Sequence, residues 1–204
     1  LLLEKLNKVN WLTDSAIFRP TLSSGSRVVY FDCNFFQEAL YAQGLSDDLI
    51  ALKITGEDIV KDFIHTVVPD SICIKGEISG LRFGGQSPHQ DHRVFHRIAR
   101  RVHIPIVTCP TAKLCVGARK YHIPMNEVWA FDNVTELHYS ENFSSSIRWH
   151  IIIDIVDTAR LNYLLQYMTS EELSMLWREW LPKQPVSRLE TLGLLAESKL
   201  AVLT

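Results

Sequence analysis

Residues 146–156 read Ser-Ile-Arg-Trp-His-Ile-Ile-Ile-Asp-Ile-Val, a run dominated by β-branched and aromatic side chains. Gly, Pro, Asn and Ser separate this run from other short stretches of similar composition. These stretches are Ser71–Phe83, Arg101–Thr108, Lys113–Val116, Glu127–Phe131 and Glu136–Ser140. Short β-rich segments with frequent turn residues are typical of antiparallel sheets, so residues 71–157 are predicted to form a sandwich or barrel.

Helical patterns flank this β-rich region. Apolar residues recur at helical spacing over Thr55–Val68, and a Thr169–x–x–Glu172 capping signal opens a second helical region after residue 158. Residues 1–55 look irregular, apart from an amphipathic opening at Leu3–Leu12 and a β-rich run at Arg27–Phe31. We therefore predict one mainly β domain with flanking helices. Its parts are an N-terminal α/β support (1–70), a catalytic core (71–157) and a C-terminal helical segment (158–204).

Composition excludes several classes of protein. The 204 residues are 47% apolar, enough for a substantial core, and the net charge of −2 gives no reason to expect a nucleic-acid partner. No apolar run approaches the roughly 20 residues that a membrane span needs. The four cysteines include no CxxC pair, so we expect reduced thiols in a cytoplasmic protein. The oligomeric state is not predicted.

The chemistry is concentrated around His89-Gln90-Asp91, which follows the glycine turn Gly84–Gly85. Residues i and i+2 of a strand point to the same side, so His89 and Asp91 can face one metal ion. A histidine from a distant strand would complete a two-His, one-carboxylate site, the arrangement typical of iron(II) oxygenases, and His138 is the best candidate. Arg148 follows it by ten residues on an apolar strand. Its planar fork suits the distal carboxylate of 2-oxoglutarate.

Other basic residues have plainer interpretations. His92 and His96 are spaced like a metal pair on a helix, but the glutamate of an HExxH motif is missing, so a solvated or substrate-rim position is favoured. His103 fits a pocket wall and a core histidine equally well, whereas His150 is interpreted as structural. A solvated loop face is favoured for Arg93, Arg97 and Arg100.

Taken together, these motifs resemble the aspartyl/asparaginyl β-hydroxylase-like branch of the 2-oxoglutarate oxygenases, which includes bacterial proline cis-hydroxylases. The resemblance covers roughly residues 79–157. Its elements, in order, are His89-x-Asp91, Arg101-x-His103, Glu127-Val128-Trp129-x-Phe131-Asp132-Asn133, His138 and Arg148-x-His150-x-x-x-Asp154. Several elements in matched order and spacing are far more specific than an isolated His-x-Asp.

The resemblance implies a double-stranded β-helix, the jelly-roll or cupin-like fold, with the metal at its open mouth. It implies that His89, Asp91 and His138 are the iron(II) ligands and the catalytic centre. Arg148 would bind the C5 carboxylate of 2-oxoglutarate. The same site would include His103 and Ser79, and Arg101 would bind substrate.

The function that follows is an iron(II)- and 2-oxoglutarate-dependent dioxygenase that uses O2 to hydroxylate a C–H bond, with succinate and CO2 as co-products. The carboxylate at Asp91 resembles that of the small-molecule hydroxylases, and no peptide-binding extension is evident, so a small amino-acid-like substrate is expected. One alternative is a hydroxylase of Asp or Asn side chains in proteins. Another is a cupin-like metal-binding module without redox turnover, which would have no use for an anchor such as Arg148.

Overall fold

The structure, a computed structural model, describes residues 1–9, 26–30, 45–92, 97, 99–125 and 127–157, with single residues at 159, 167, 169 and 171. Two helices and nine strands lie within these ranges. The helices are α1 (Leu2–Lys8) and α2 (Asp47–Val67). The strands are β1 (Ser26–Tyr30), β2 (Ser71–Leu81), β3 (Gly84–Gly85), β4 (Arg100–Val107), β5 (Ala112–Val116), β6 (Arg119–Tyr121), β7 (Trp129–Phe131), β8 (His138–Asn142) and β9 (Arg148–Asp157).

The strands form two antiparallel sheets. One has the order β1-β2-β9-β4-β7 and the other the order β3-β8-β5-β6. From β2 to β9 the chain crosses between the sheets at every step except at the β5–β6 hairpin, which stays in the second sheet. This winding is that of a double-stranded β-helix, so the predicted jelly-roll fold is confirmed.

The two faces of the first sheet have different chemistry, and β9 shows why. Trp149, Ile151, Ile153 and Ile155 alternate along the strand and join the apolar core that also contains residues of α1 and α2. The side chains between them, Arg148, His150 and Asp154, point to the opposite face and are buried as well. That second face meets the second sheet, where the rings of Phe131 and His138 have centroids 5.1 Å apart. The interior of the barrel is therefore polar.

Helix α2 covers the outer face of the first sheet. Its buried residues Leu49, Leu52, Gly56 and Val60 recur at helical spacing. The helix begins eight residues before the predicted Thr55 because Ser46 caps it: the Ser46 hydroxyl accepts a hydrogen bond from the Leu49 amide at 3.4 Å. The expectation of irregular structure up to residue 55 was therefore wrong for this stretch.

The predicted β-rich stretches are confirmed as β1, β2, β4, β5, β7, β8 and β9, with ends that differ by a few residues. Strands β3 and β6 were not predicted. Strand β3 consists of Gly84 and Gly85, which carry no β-forming side chain, and Gly84 has a φ of 127° that other residues rarely adopt. The predicted C-terminal helical segment, with its capping signal, lies outside the described residues.

The sequence predicted that the chain has no membrane-spanning segment and that its cysteines are reduced. Neither described helix combines the length and the apolar character of a membrane span. Cys73, Cys109 and Cys115 form no disulfide with one another, and Cys33 lies outside the described residues.

Gly80 provides a test of the packing between β2 and β9. It stands opposite Trp149, and a Cβ atom added there would lie 2.2 Å from Cζ3 of the buried indole. We expect Gly80→Ala to lower the free energy of unfolding by about 1–3 kcal/mol, the usual effect of overpacking a core. The measurement is the urea midpoint at constant m-value.

Gly85→Ala is the matched control, because the nearest atom to its added Cβ would be the Ser140 carbonyl oxygen at 3.6 Å. Its stability should stay within about 0.5 kcal/mol of the original. Equal losses in both variants would show that the indole is not the obstacle.

Candidate metal centre

His89, Asp91 and His138 come together at one end of the barrel, with potential ligand atoms all within 4.8 Å of one another. Backbone pairing sets this geometry. The His89 amide donates to the His138 carbonyl at 3.0 Å, and the His138 amide donates to the His89 carbonyl at 2.9 Å. The two histidines, 49 positions apart in the chain, are thus held side by side, with ring centroids 4.5 Å apart.

Backbone contacts fix the same tautomer in both histidine rings. Nδ1 of His89 lies 2.8 Å from the Ser87 carbonyl oxygen, and Nδ1 of His138 lies 3.1 Å from the Glu136 carbonyl oxygen. A carbonyl only accepts, so each Nδ1 carries a hydrogen, and Nε2 is the ring nitrogen left to face a metal ion. A histidine that ligates a metal through Nε2 is commonly oriented in this way.

The His138 ring also has an unmatched atom. Its Nε2 is buried, has no hydrogen-bond partner among the described residues, and lies 3.7 Å from Oδ2 of Asp91. Burial lowers the pKa of His138 and outweighs the hydrogen bond to the Glu136 carbonyl and the charge of Asp91, which raise it, so the ring is neutral at neutral pH. A buried lone pair beside a carboxylate and a second imidazole fits a divalent transition metal.

The carboxylate of Asp91 is oriented by its neighbours. Nη1 of Arg101 and Nδ2 of Asn133 both donate to Oδ2, the Asn133 bond being 2.8 Å long. The Asp91 amide also donates to the Asn133 carbonyl at 2.9 Å. Asp154 holds Arg101 in turn, because Nε and Nη2 of the guanidinium donate to its two oxygens at 2.8 and 2.9 Å. A continuous chain of charged contacts therefore runs from β9 to the metal-ligand candidate.

Arg101 is charged despite its burial. Burial alone would lower its pKa, but the charge and hydrogen bonds of Asp154 and the charge of Asp91 outweigh it and raise the pKa above the ordinary value. The sequence predicted a substrate-binding role for Arg101, and that role stays a prediction. In the structure its guanidinium contacts Asp91 and Asp154.

A second group of polar residues lies deeper in the barrel. Ser79 on β2 stands opposite His150 on β9, and all four members of the group are buried: Ser79, His103, Arg148 and His150. Nη2 of Arg148 lies 2.9 Å from Nδ1 of His150, and the two Nδ1 atoms of His103 and His150 are 3.4 Å apart. Burial, followed by the charge of Arg148, lowers the pKa of both histidines well below the ordinary value. Both rings are therefore neutral.

Arg148 is a buried cation without an ion pair to any carboxylate in the described part of the chain. Only 4% of its surface is exposed. Burial lowers its pKa to about 9, which still leaves the guanidinium charged at neutral pH. Its end of the barrel is fixed by Asn142, whose side-chain amide donates to the carbonyls of Leu81 and Ser146 at 2.8 Å each. The predicted anchor thus lies on the interior face, where no carboxylate of the described residues compensates its charge.

From the sequence, Asp154 and Asn133 were assigned no role, and His150 was interpreted as structural. Asp154 and His150 are separated from Arg148 by even numbers of residues on one strand, so the strand periodicity could have placed all three on one face. Asn133 ends the Glu127–Asn133 motif, but strand periodicity could not have placed it beside Asp91, because it lies in a loop.

Solvated positions were predicted for several basic residues near the metal-ligand candidates. His92, Arg97 and Arg100 are exposed, and the two arginines line an open cleft of about 440 Å³ that Asn133 borders. Arg93 and His96 lie outside the described residues.

The segment that carries these residues matches a known protein family. Residues 82–158 match the model of the Aspartyl/Asparaginyl beta-hydroxylase family. The resemblance predicted from the motifs is confirmed over that segment, which contains the metal-ligand candidates and Arg148. No curated protein matches the chain.

Solved structures give more distant likenesses. A cupin 2 conserved barrel domain protein from Salinispora arenicola has 13% identity and a TM-score of 0.32, over 50% of this chain and 76% of that one. A predicted oxalate decarboxylase from Thermotoga maritima has 13% identity and a TM-score of 0.34, over 46% and 73%. The non-heme monooxygenase ThoJ, in a nickel complex, has 15% identity and a TM-score of 0.39, over 62% and 66%. Likenesses this distant say nothing of this chain's activity.

Replacing a ligand candidate should remove the metal and leave the fold. We expect His89→Ala, Asp91→Ala and His138→Ala to reduce iron(II) affinity by more than the roughly 10–100-fold that loss of an outer-sphere partner costs. Anaerobic iron(II) titration, with circular dichroism to check the fold, measures this. The control is His92→Ala, which removes an exposed neighbouring imidazole and should bind iron(II) normally. Full binding by His138→Ala would mean that the third ligand lies elsewhere.

Asp154 should affect both stability and metal affinity. Asp154→Ala leaves the buried Arg101 without its bidentate partner, so we expect a loss of about 3–5 kcal/mol in unfolding free energy. Because Arg101 then loses the partner that fixes its position, it orients Asp91 less well, and iron(II) affinity should fall roughly 10–100-fold. Asp157→Ala, at the exposed end of the same strand, is the control. Unchanged metal affinity in a folded Asp154→Ala protein would separate this ion pair from the metal centre.

Proposed function

We propose that the chain is an iron(II)- and 2-oxoglutarate-dependent dioxygenase that hydroxylates a C–H bond of a small amino-acid-like substrate. The observation that carries the proposal is Arg148, a buried guanidinium that faces the barrel interior without a carboxylate partner among the described residues. A metal-binding module needs no such cation, whereas a dicarboxylate bound to the metal needs an anchor for its far end.

Burial of the Arg148 guanidinium costs free energy. An ion buried without a counter-charge is strongly destabilising, so an anion that enters the barrel and pairs with Arg148 recovers free energy lost on folding. The guanidinium presents donors in a plane that matches a carboxylate. Ser79 and His103, predicted for the same site, are buried in the same group. These features support 2-oxoglutarate as the occupant.

The metal-ligand candidates support iron(II). His89, Asp91 and His138 would hold the ion through two imidazoles and one carboxylate and would leave its other positions to small molecules. When bound, iron(II) and 2-oxoglutarate supply the chemistry that activates O2 and oxidises a C–H bond, with succinate and CO2 as co-products. The residues of this chain hold both groups, exclude water and fix the direction of approach.

The substrate class rests on Asp91 and on the chain's charge. A carboxylate at this position resembles that of hydroxylases acting on free amino acids, and we carry Arg101 forward as a substrate-binding candidate. The net charge of −2 gives no reason to expect nucleic acid as a partner. We expect the cytoplasm as the compartment, where iron(II) and the cysteines stay reduced.

A titration followed by a screen tests the proposal. The protein is loaded with iron(II) under anaerobic conditions, titrated with 2-oxoglutarate, and then exposed to O2 with single free amino acids while succinate is measured. We expect saturable 2-oxoglutarate binding and succinate release that one or a few amino acids stimulate. Stimulation by peptides or folded proteins alone would favour the protein side-chain hydroxylase. Absence of 2-oxoglutarate binding would favour the metal-binding module.

Arg148 should govern the affinity for 2-oxoglutarate and leave iron(II) affinity unchanged. Losing a charge-assisted pair in a desolvated pocket should cost about 2–5 kcal/mol, so Arg148→Ala should bind 2-oxoglutarate roughly 30- to several-thousand-fold more weakly. Arg148→Lys keeps the charge but loses the planar fork, so its affinity should fall between the two. Calorimetric titration of the iron(II)-loaded protein measures the effect.

The matched control is Arg119→Ala, which removes an exposed guanidinium on β6 and should leave both affinities unchanged. Wild-type 2-oxoglutarate affinity in Arg148→Ala would contradict the assignment of the anchor.

A further inference from the structure

His150 makes an unusual contact with the buried guanidinium of Arg148. Nη2 of Arg148 and Nδ1 of His150 are 2.9 Å apart, and His150 is only 1% exposed. The guanidinium makes no other hydrogen bond with the described residues. In proteins a buried guanidinium usually pairs with a carboxylate, as Arg101 does with Asp154 in this chain. The side chain that holds Arg148 is therefore a neutral acceptor.

The donor and acceptor in this contact are fixed by the chemistry of the two groups. A guanidinium can only donate, so Nδ1 of His150 must offer a lone pair, and the ring must be the neutral tautomer with its hydrogen on Nε2. Nδ1 of His103, 3.4 Å from the same atom, can then approach it favourably only with its own hydrogen. The geometry requires an uncharged His150, and burial and the charge of Arg148 lower its pKa accordingly.

The sequence places this acceptor on the same face of β9 as Arg148, two residues further along. On the neighbouring strands the residues opposite His150 are Ser79 and Pro105, and neither carries a charge. The contact therefore fixes one nitrogen of the guanidinium from the side while adding no negative charge near it. A carboxylate in place of the imidazole would fix the same nitrogen but would also neutralise the cation.

We propose that His150 is a positioning residue for the anion site: its neutral imidazole orients the Arg148 guanidinium and leaves the positive charge available to the distal carboxylate of 2-oxoglutarate. This inference rests on the proposed function. It assigns to His150 a property beyond packing, namely that an acceptor is required at this position and that a charged acceptor is harmful.

Three substitutions separate these requirements. His150→Asn keeps an acceptor near the position of Nδ1 without charge, so 2-oxoglutarate affinity should stay within about threefold of the original. His150→Leu removes the acceptor, and affinity should fall by about tenfold, as on loss of other orienting partners. His150→Asp provides an acceptor that pairs with Arg148 as an ion, and affinity should fall by at least about 30-fold, like that of Arg148→Ala. His65→Asp, on the exposed surface of α2, controls for the added charge.

The readout is calorimetric affinity for 2-oxoglutarate and, in parallel, for pyruvate, both with the iron(II)-loaded protein under anaerobic conditions. Pyruvate has the 2-oxo acid group but no distal carboxylate, so its affinity should be the same in all four variants. A merely structural role of His150 would change both ligands together. If His150→Asp does not fold, the comparison of His150→Asn with His150→Leu still decides whether the acceptor matters.

Two negative outcomes have different meanings. If the wild-type protein does not bind 2-oxoglutarate, or if Arg148→Ala binds it as tightly as the wild type, the proposed function is wrong. If Arg148→Ala loses 2-oxoglutarate while His150→Leu and His150→Asp bind it normally, the proposed function stands and the positioning role of His150 is overturned. Equal losses for pyruvate and 2-oxoglutarate would overturn that role as well.

Discussion

The guanidinium of Arg101 links the metal-ligand candidate Asp91 to the frame of the barrel. Arg101 on β4 stands directly opposite Asp154 on β9, and the two form a bidentate ion pair in the interior. The same guanidinium reaches Asp91, in a segment that contributes to neither strand. Two carboxylates around one arginine are tolerable in the interior only because the cation is shared, and a metal ion beside Asp91 would take up the remaining negative charge.

This constraint explains the division of the first sheet into two faces. An interior with several charged side chains gains little apolar burial, so the free energy of folding has to come from elsewhere. The outward-facing isoleucines of β9 supply it by packing under α1 and α2, in a core that includes Leu6, Leu49 and Ile151. The helices and the outer face of the sheet thus stabilise the fold, while the inner face is available for chemistry.

The sequence predicted those side-chain placements that depend only on the local periodicity of a strand. The placement of His138 in a β-rich stretch and of Arg148 on an apolar strand was readable because strands alternate with a period of two. The spacing of His89 and Asp91 was readable too, although His89 forms only an isolated bridge with His138 and Asp91 lies outside the strands. The tertiary contacts were not readable. That Arg101 faces Asp154 depends on the register of β4 against β9, and that Asn133 reaches Asp91 depends on a loop. Strand β3 escaped prediction because two glycines carry no pattern.

The two buried arginines, Arg101 and Arg148, are the same residue type and differ only in their partners. Arg101 is surrounded by carboxylates, which raise its pKa. Arg148 has a neutral imidazole as its partner, and burial lowers its pKa to about 9. Because two carboxylates contact the guanidinium of Arg101, it orients Asp91 and attracts an anion less strongly than a guanidinium without carboxylate contacts would. Arg148 keeps its full charge in a medium of low dielectric constant, where attraction for an anion is stronger than in water. In a barrel that buries both, we therefore propose the anion site at Arg148, whose charge no carboxylate of the described residues compensates.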